Sequence, residues 1–94
     1  MRFEWDENKN RSNQVKHRVS FETATLVFDD PGAISVLERI AAGEERWQTF
    51  GLAGGVVLLT VAHAFREKNG EEVLRIISAR KATPRERKIY EEGL

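Results

Sequence analysis

The chain has 94 residues, with 15 Lys and Arg balanced by 15 Asp and Glu, so its formal net charge is zero. That balance excludes strong polyanion binding by the whole surface but not by a patch. One domain over residues 1–94 is expected, 40% hydrophobic and 32% charged residues exclude a disordered chain, and the lack of cysteine excludes disulfide and thiol chemistry.

Arg2 to Trp5 alternates polar and apolar residues, as a short strand does. Asp6 then suits a helix N-cap with Glu7 in the first turn, and the helix is expected to run to Arg18. Its apolar face is poor, because Val15 is its only aliphatic residue. Ser20 caps a second helix, F-E-T-A-T-L-V-F, which Asp29-Asp30-Pro31-Gly32 terminates because Pro31 cannot continue it. From Ala33 the texture becomes β: A-I-S-V-L-E-R-I, a turn at A-A-G-E-E, then R-W-Q-T-F-G-L.

Ala53-Gly54-Gly55 and Asn69-Gly70 are tight-turn signals on either side of the most apolar strand, Val56–Arg66. Short turns require antiparallel neighbours, so the three strands from Arg46 to Lys81 are predicted to form a meander. Thr83-Pro84-Arg85-Glu86 combines an N-cap, a proline at the first helical position and a glutamate that closes a capping box. The last helix is expected from Pro84 to about Glu92, with Ile89 and Leu94 as apolar contacts. The expected fold class is α+β: two N-terminal helices, a curved antiparallel sheet and a C-terminal helix. The longest apolar run is too short to span a bilayer and the N-terminus lacks a signal-peptide core, so a soluble, cytoplasmic protein is expected.

Charge is distributed unevenly. Val73–Tyr90 holds six cations (Arg75, Arg80, Lys81, Arg85, Arg87, Lys88) and one acid, Glu86. Paired arginines suit phosphate because each guanidinium fork donates two hydrogen bonds at once. The competing reading is a solvated face paired with Glu38, Glu44, Glu45, Glu71 or Glu72. On a regular strand Arg80 shares a face with Ser78 and Ile76, and Lys81 with Ala79 and Arg75. His63 reads either as a satisfied core histidine or as a general acid or base; the second reading needs it on one surface with Arg80 or Arg66. Trp47 and Tyr90 are core aromatics or base-stacking platforms. Two histidines far apart and no cysteine give no metal-site pattern.

Four stretches together resemble the BrnT family: F-E-W-D at 3–6, K-H-R-V-S-F-E-T-A at 16–24, V-F-D-D-P at 27–31 and R-I-I-S-A-R-K-A-T-P-R-E-R-K-I-Y at 75–90. One departure is Arg18, which stands where the family reads glycine; a left-handed C-cap there strains a residue with a Cβ. The resemblance implies a RelE-like ribonuclease fold and a bacterial type II toxin. Its activity would be metal-independent, cofactor-free endoribonuclease cleavage that arrests translation. It also implies a BrnA-like ribbon-helix-helix antitoxin, a heterotetramer formed through antitoxin dimerisation, and co-repression of the operon on operator DNA.

Arg80 and the capped helix at Thr83–Arg87 are the surest carried-over positions, and Lys16, His17 and Arg46 also match family positions. Attack of a 2′-hydroxyl on the adjacent phosphate needs a base, an acid and a cation for the phosphorane. His63 is the acid or base offered, and Arg80 with Arg46 or Arg66 the cation. Lys16, His17, Arg75, Lys81, Arg85 and Tyr90 are the expected RNA-binding residues, and an acidic antitoxin segment laid on the basic surface would block substrate. The alternative is a non-catalytic nucleic-acid-binding or co-repressor subunit.

Overall fold

Backbone chemistry sets most of the boundaries in the computed structural model, which describes residues 1–93. Leu94, an expected apolar contact of the last helix, lies outside them. Strand β1 (Arg2–Glu4) leads into helix α1 (Glu7–His17) and helix α2 (Phe21–Thr25). Strands β2 (Ile34–Ala41), β3 (Glu44–Ala53), β4 (Val57–Lys68) and β5 (Glu71–Lys81) follow, and helix α3 (Pro84–Glu92) closes the chain. Asp6 and Ser20 accept the first free amides of α1 and α2, and Thr83 and Glu86 form the full capping box of α3. Arg18 ends α1 in the left-handed region (φ 59°) while its amide donates to Gln14 O.

The strands form one sheet in the order β1-β5-β4-β3-β2. β2 to β5 are antiparallel neighbours, but β1 pairs parallel to β5, so the sheet is mixed rather than a pure antiparallel meander. A three-residue strand cannot stand alone; lying on the free edge of β5 sets Phe3 opposite Leu74 and 5.7 Å from Phe28. Asn69-Gly70 makes the β4–β5 hairpin as expected, both residues taking the positive φ that a two-residue turn demands.

The second helix is not continuous. α2 stops at Thr25, and Leu26–Asp29 tightens into a 3-10 turn. That turn presses Val27 against Gly51, where an added Cβ would meet Val27 Cγ1 at 2.7 Å. The core lies between these helical segments and one face of the sheet, built from Val19, Phe21, Ala24 and Val27 against Leu59, Val61, Leu74 and Ile76.

α1 docks by polar bonds. Val15 is 87% exposed, whereas Asn10 and Asn13 are buried. Asn13 donates to Ala79 O (2.7 Å) and accepts from Ala79 N (3.2 Å), completing the edge of β5 beyond the end of β1. Asn10 accepts from Phe21 N and donates to Glu7 and Glu22.

Candidate nucleic-acid interface

One irregularity in β5 arranges the charges. Ala62 faces Ser78 but His63 faces Ile76, so Ile77 is an extra residue bulged out of the ladder. Side chains alternate on either side of it but exchange faces across it. Arg75 is therefore on the same face as Ser78 and Arg80, opposite Ala64, while Ile76 is on the core face opposite His63. This corrects the grouping of Arg75 with Ala79 and Lys81 that a regular strand predicts.

The face away from the core carries Arg46, Arg66, Arg75 and Arg80, held by carboxylates. Glu44 bridges Arg46 Nε (3.3 Å) and Arg66 Nε (3.5 Å). Glu4 lies 2.6 Å from Lys68 Nζ and 3.5 Å from Arg75 Nη1. Its hydrogen bond to Lys68 lowers the Glu4 carboxyl below its ordinary range, with the nearby cations assisting. Beside Arg46 lies a shallow groove of about 180 Å³, lined by Glu38, Arg39, Arg46 and Gln48 on one side and by Ala62, Ile77 and Ser78 on the other. Gln48 Nε2 donates to Glu38 Oε2 at 2.8 Å. Arg46 Nε is buried beside Glu44 and makes no hydrogen bond among the described residues.

Arg80 is differently placed. Its Nη1 and Nη2 donate to the two oxygens of Glu86 at 2.7 and 2.9 Å, a fork-on-fork pair. Glu86 Oε1 also accepts from Thr60 Oγ1 (2.7 Å) and Thr83 N (2.9 Å). The Arg80 bonds first, then those of Thr83 and Thr60, hold the Glu86 carboxyl at about 2. Arg80 thus fastens α3 to the sheet at one end of the arginine face. Tyr90, nearer the C-terminal end of α3, ties the helix to the loop before β2, donating to Asp30 Oδ2 at 2.8 Å. The ring is a tether there rather than a free stacking platform.

His63 is not on this face. Register places it opposite Trp47 and Ile76 on the core side, 1% exposed, with Phe28 and Phe65 edge-on at 5.0 and 5.3 Å. Its Nε2 is 2.7 Å from Thr49 Oγ1, its Nδ1 has no partner among the described residues, and burial lowers its pKa to about 4. The condition for an acid–base role, a surface shared with Arg80 or Arg66, is not met.

Lys81 lies opposite Leu59, on the reverse face from Arg80, and is exposed, as is Arg85 in the first turn of α3. Lys16 and His17 end α1, which packs on β5. Among the described residues, none of these four forms an ion pair with the sheet carboxylates. Sequence reasoning missed Glu4 and Glu86 as partners of the arginines, and Arg39, Gln48 and Ser78 as groove walls; Glu44, offered there as a partner for the C-terminal cations, pairs instead with Arg46 and Arg66. Alternation on β3 pointed to Gln48 beside Arg46; nothing local pointed to Glu4. Among the described residues, no group of three or more His, Cys, Asp or Glu is arranged to hold a metal ion, and no helix is long and apolar enough to cross a membrane.

The sequence matches the family described as ribonuclease toxin, BrnT, of type II toxin–antitoxin systems over residues 5–86, a span that holds every groove residue and Glu86. The crystal structure of the Brucella abortus ribonuclease toxin BrnT is similar, with a TM-score of 0.66 and 28% identity, covering 88% of this chain and 97% of that one. No curated protein matches the sequence. With a match running from the first helix through the sheet to the cap of α3, and a solved ribonuclease toxin of similar fold, the chain belongs to the BrnT family of type II toxin–antitoxin ribonuclease toxins.

Proposed function

We propose that the chain is an endoribonuclease that cleaves RNA on the arginine face of its sheet, without a metal ion. The observation that carries this is the register that sets Arg46, Arg66 and Arg75 on one face of the sheet, whose floor there is the small side chains Ala62, Ala64 and Ser78. A ribose-phosphate chain can approach such a floor closely, and guanidinium groups supply the positive charge a phosphorane needs. Attack of the 2′-oxygen forms a bond to phosphorus and breaks the bond to the 5′-oxygen, leaving a 2′,3′-cyclic phosphate and a 5′-hydroxyl. Arg46, which lines the groove, and Arg75, loosely paired at 3.5 Å, are the phosphorane ligands. Glu38, the exposed carboxylate of the groove, takes the 2′-hydroxyl proton, and water in the open groove protonates the leaving oxygen. Arg80 holds α3 as the groove's boundary, and His63 takes no part. Lys81, Arg85, Lys16 and His17 contact only flanking phosphates.

In this reading the toxin acts in the bacterial cytoplasm to arrest translation, and its fold is related to the RelE ribonucleases. A BrnA-like ribbon-helix-helix antitoxin neutralises it, dimerises to form a heterotetramer and carries the complex to operator DNA, where the two co-repress their operon. The test is cleavage of a defined RNA in EDTA by the purified chain and by Arg46→Ala and Arg75→Ala. Each substitution removes a charge-assisted contact and should lower kcat/KM by roughly 100-fold. Wild-type activity in both variants would sink the site assignment; loss of all wild-type activity in EDTA would sink metal independence. A chain that binds nucleic acid with steep salt dependence but cuts no RNA is instead a co-repressor subunit.

A further inference from the structure

The core face of the sheet is not fully covered. Near the β2–β3 turn it exposes Leu37 (47%), Ile40 (66%) and Phe65 (40%), with Trp47 half-buried among them. Register puts these on one face: Leu37 is opposite Trp47, Trp47 opposite His63, and Phe65 packs beside His63. Glu45 lies opposite Ile40 on this same face. Glu67 and Glu72, which also face this way, stand directly opposite each other across β4 and β5. Like charges so placed repel. Among the described residues neither they nor Glu45 has an ion-pair partner, unlike the carboxylates of the arginine face.

Resting on the type II toxin reading, we infer that this apolar, acid-rimmed face is where the antitoxin anchors, through a segment of apolar residues flanked by Lys or Arg. RNA does not fit it, because three unneutralised carboxylates repel phosphate. A second copy of the chain does not fit either, since a symmetric contact would bring both copies' unpaired carboxylates into one interface with no cation to offset them. A basic, apolar segment buries the aromatic and aliphatic side chains and relieves the Glu67–Glu72 repulsion. Position adds a second argument. β2 is the edge strand, presenting Leu37 and Ile40 here and Glu38 and Arg39 to the groove behind. A bound chain turns that edge in about three extended residues, roughly 10 Å, and then lies over the groove. Anchoring and inhibition thus sit on opposite faces of one edge.

The test measures affinity of the full-length chain for the purified antitoxin encoded beside it. Leu37→Glu with Ile40→Glu should weaken binding by roughly 50-fold or more while RNA cleavage and melting temperature stay near wild type. Glu45→Lys with Glu67→Lys, both at exposed positions, should weaken it by about tenfold and reduce its salt dependence. Arg39→Gln with Arg46→Gln, on the groove face, should change affinity by no more than about threefold. Undiminished antitoxin binding by the first two pairs overturns the proposal and leaves the ribonuclease reading standing. So does a large loss confined to the groove pair. If Leu37→Glu with Ile40→Glu instead converts a dimer of the isolated chain to a monomer with antitoxin affinity unchanged, the face belongs to a second copy. Failure of the wild-type chain to bind the antitoxin at all removes the type II reading itself, and the proposal with it.

Discussion

His63 Nε2 and Thr49 Oγ1 share a hydrogen bond of 2.7 Å, and Thr49 Oγ1 is in turn 2.7 Å from Ser35 Oγ, so the ring is held from one side only. Its folded pKa of about 4 lies below the ordinary value of 6.5. Between those values the unfolded chain binds a proton that the folded chain refuses, so stability is complete above the upper value and falls as pH drops toward the lower. From pH 7 to pH 5 the loss from this residue should be about 2 kcal/mol, read by urea unfolding. His63→Gln, which keeps a polar group near Thr49 but does not titrate, should flatten that slope; an unchanged slope would mean another group is responsible. The sequence placed His63 on an apolar strand but could not say which face it occupied, because the face depends on what packs across it. The strained cap at Arg18 was legible only through the glycine that the resembled family has there. Its left-handed backbone costs a residue with a Cβ about 1 kcal/mol.

At the scale of elements, the caps, the helix starts and the Asn69-Gly70 hairpin were readable because each rests on residues within a few positions of one another. The bulge at Ile77 was not, because I-I-S-A-R reads as an unbroken strand and only pairing with β4 reveals the extra residue. Deleting Ile77 restores plain alternation and drives either Arg75 toward the core or Ile76 out of it. The variant should show no cooperative thermal transition, since burying an unpaired arginine exceeds the margin of a domain this size. A normal transition with full ribonuclease activity would mean the bulge positions nothing. Nor was the double duty of Glu86 visible: the sequence showed a capping box, and the fold added Arg80 and Thr60 to the same carboxylate. Glu86→Gln keeps the helix cap but replaces one acceptor oxygen with a donor facing Arg80. It should lower stability by about 2 kcal/mol, measured as a fall in melting temperature.

Over the whole molecule, the zero net charge conceals a sheet whose two faces differ. On one, arginines are held by Glu4, Glu44 and Glu86; on the other, Glu45, Glu67 and Glu72 border exposed apolar side chains. The basic stretch at the C-terminus hinted at this separation. Its pairing across distant segments, such as Glu4 with Lys68 at a separation of 64 residues, emerges only when β1 joins the sheet. Charge substitutions alone cannot establish where RNA lies, because an altered field also changes encounter rates from a distance. A steric probe separates the two effects. Ala62 is half-buried on the groove floor beside Gln48 and Ser78, and it makes no charge contact. Ala62→Trp fills the groove without altering any ion pair, so kcat/KM for RNA cleavage should fall roughly tenfold or more, while stability moves by no more than about 1 kcal/mol. A matching substitution on the reverse face, Leu26→Trp at a 43% exposed position, should leave cleavage unchanged. If both variants cut RNA at the wild-type rate, RNA does not lie between Arg46 and Ser78, and the catalytic surface must be sought along the α1 and α3 cations instead.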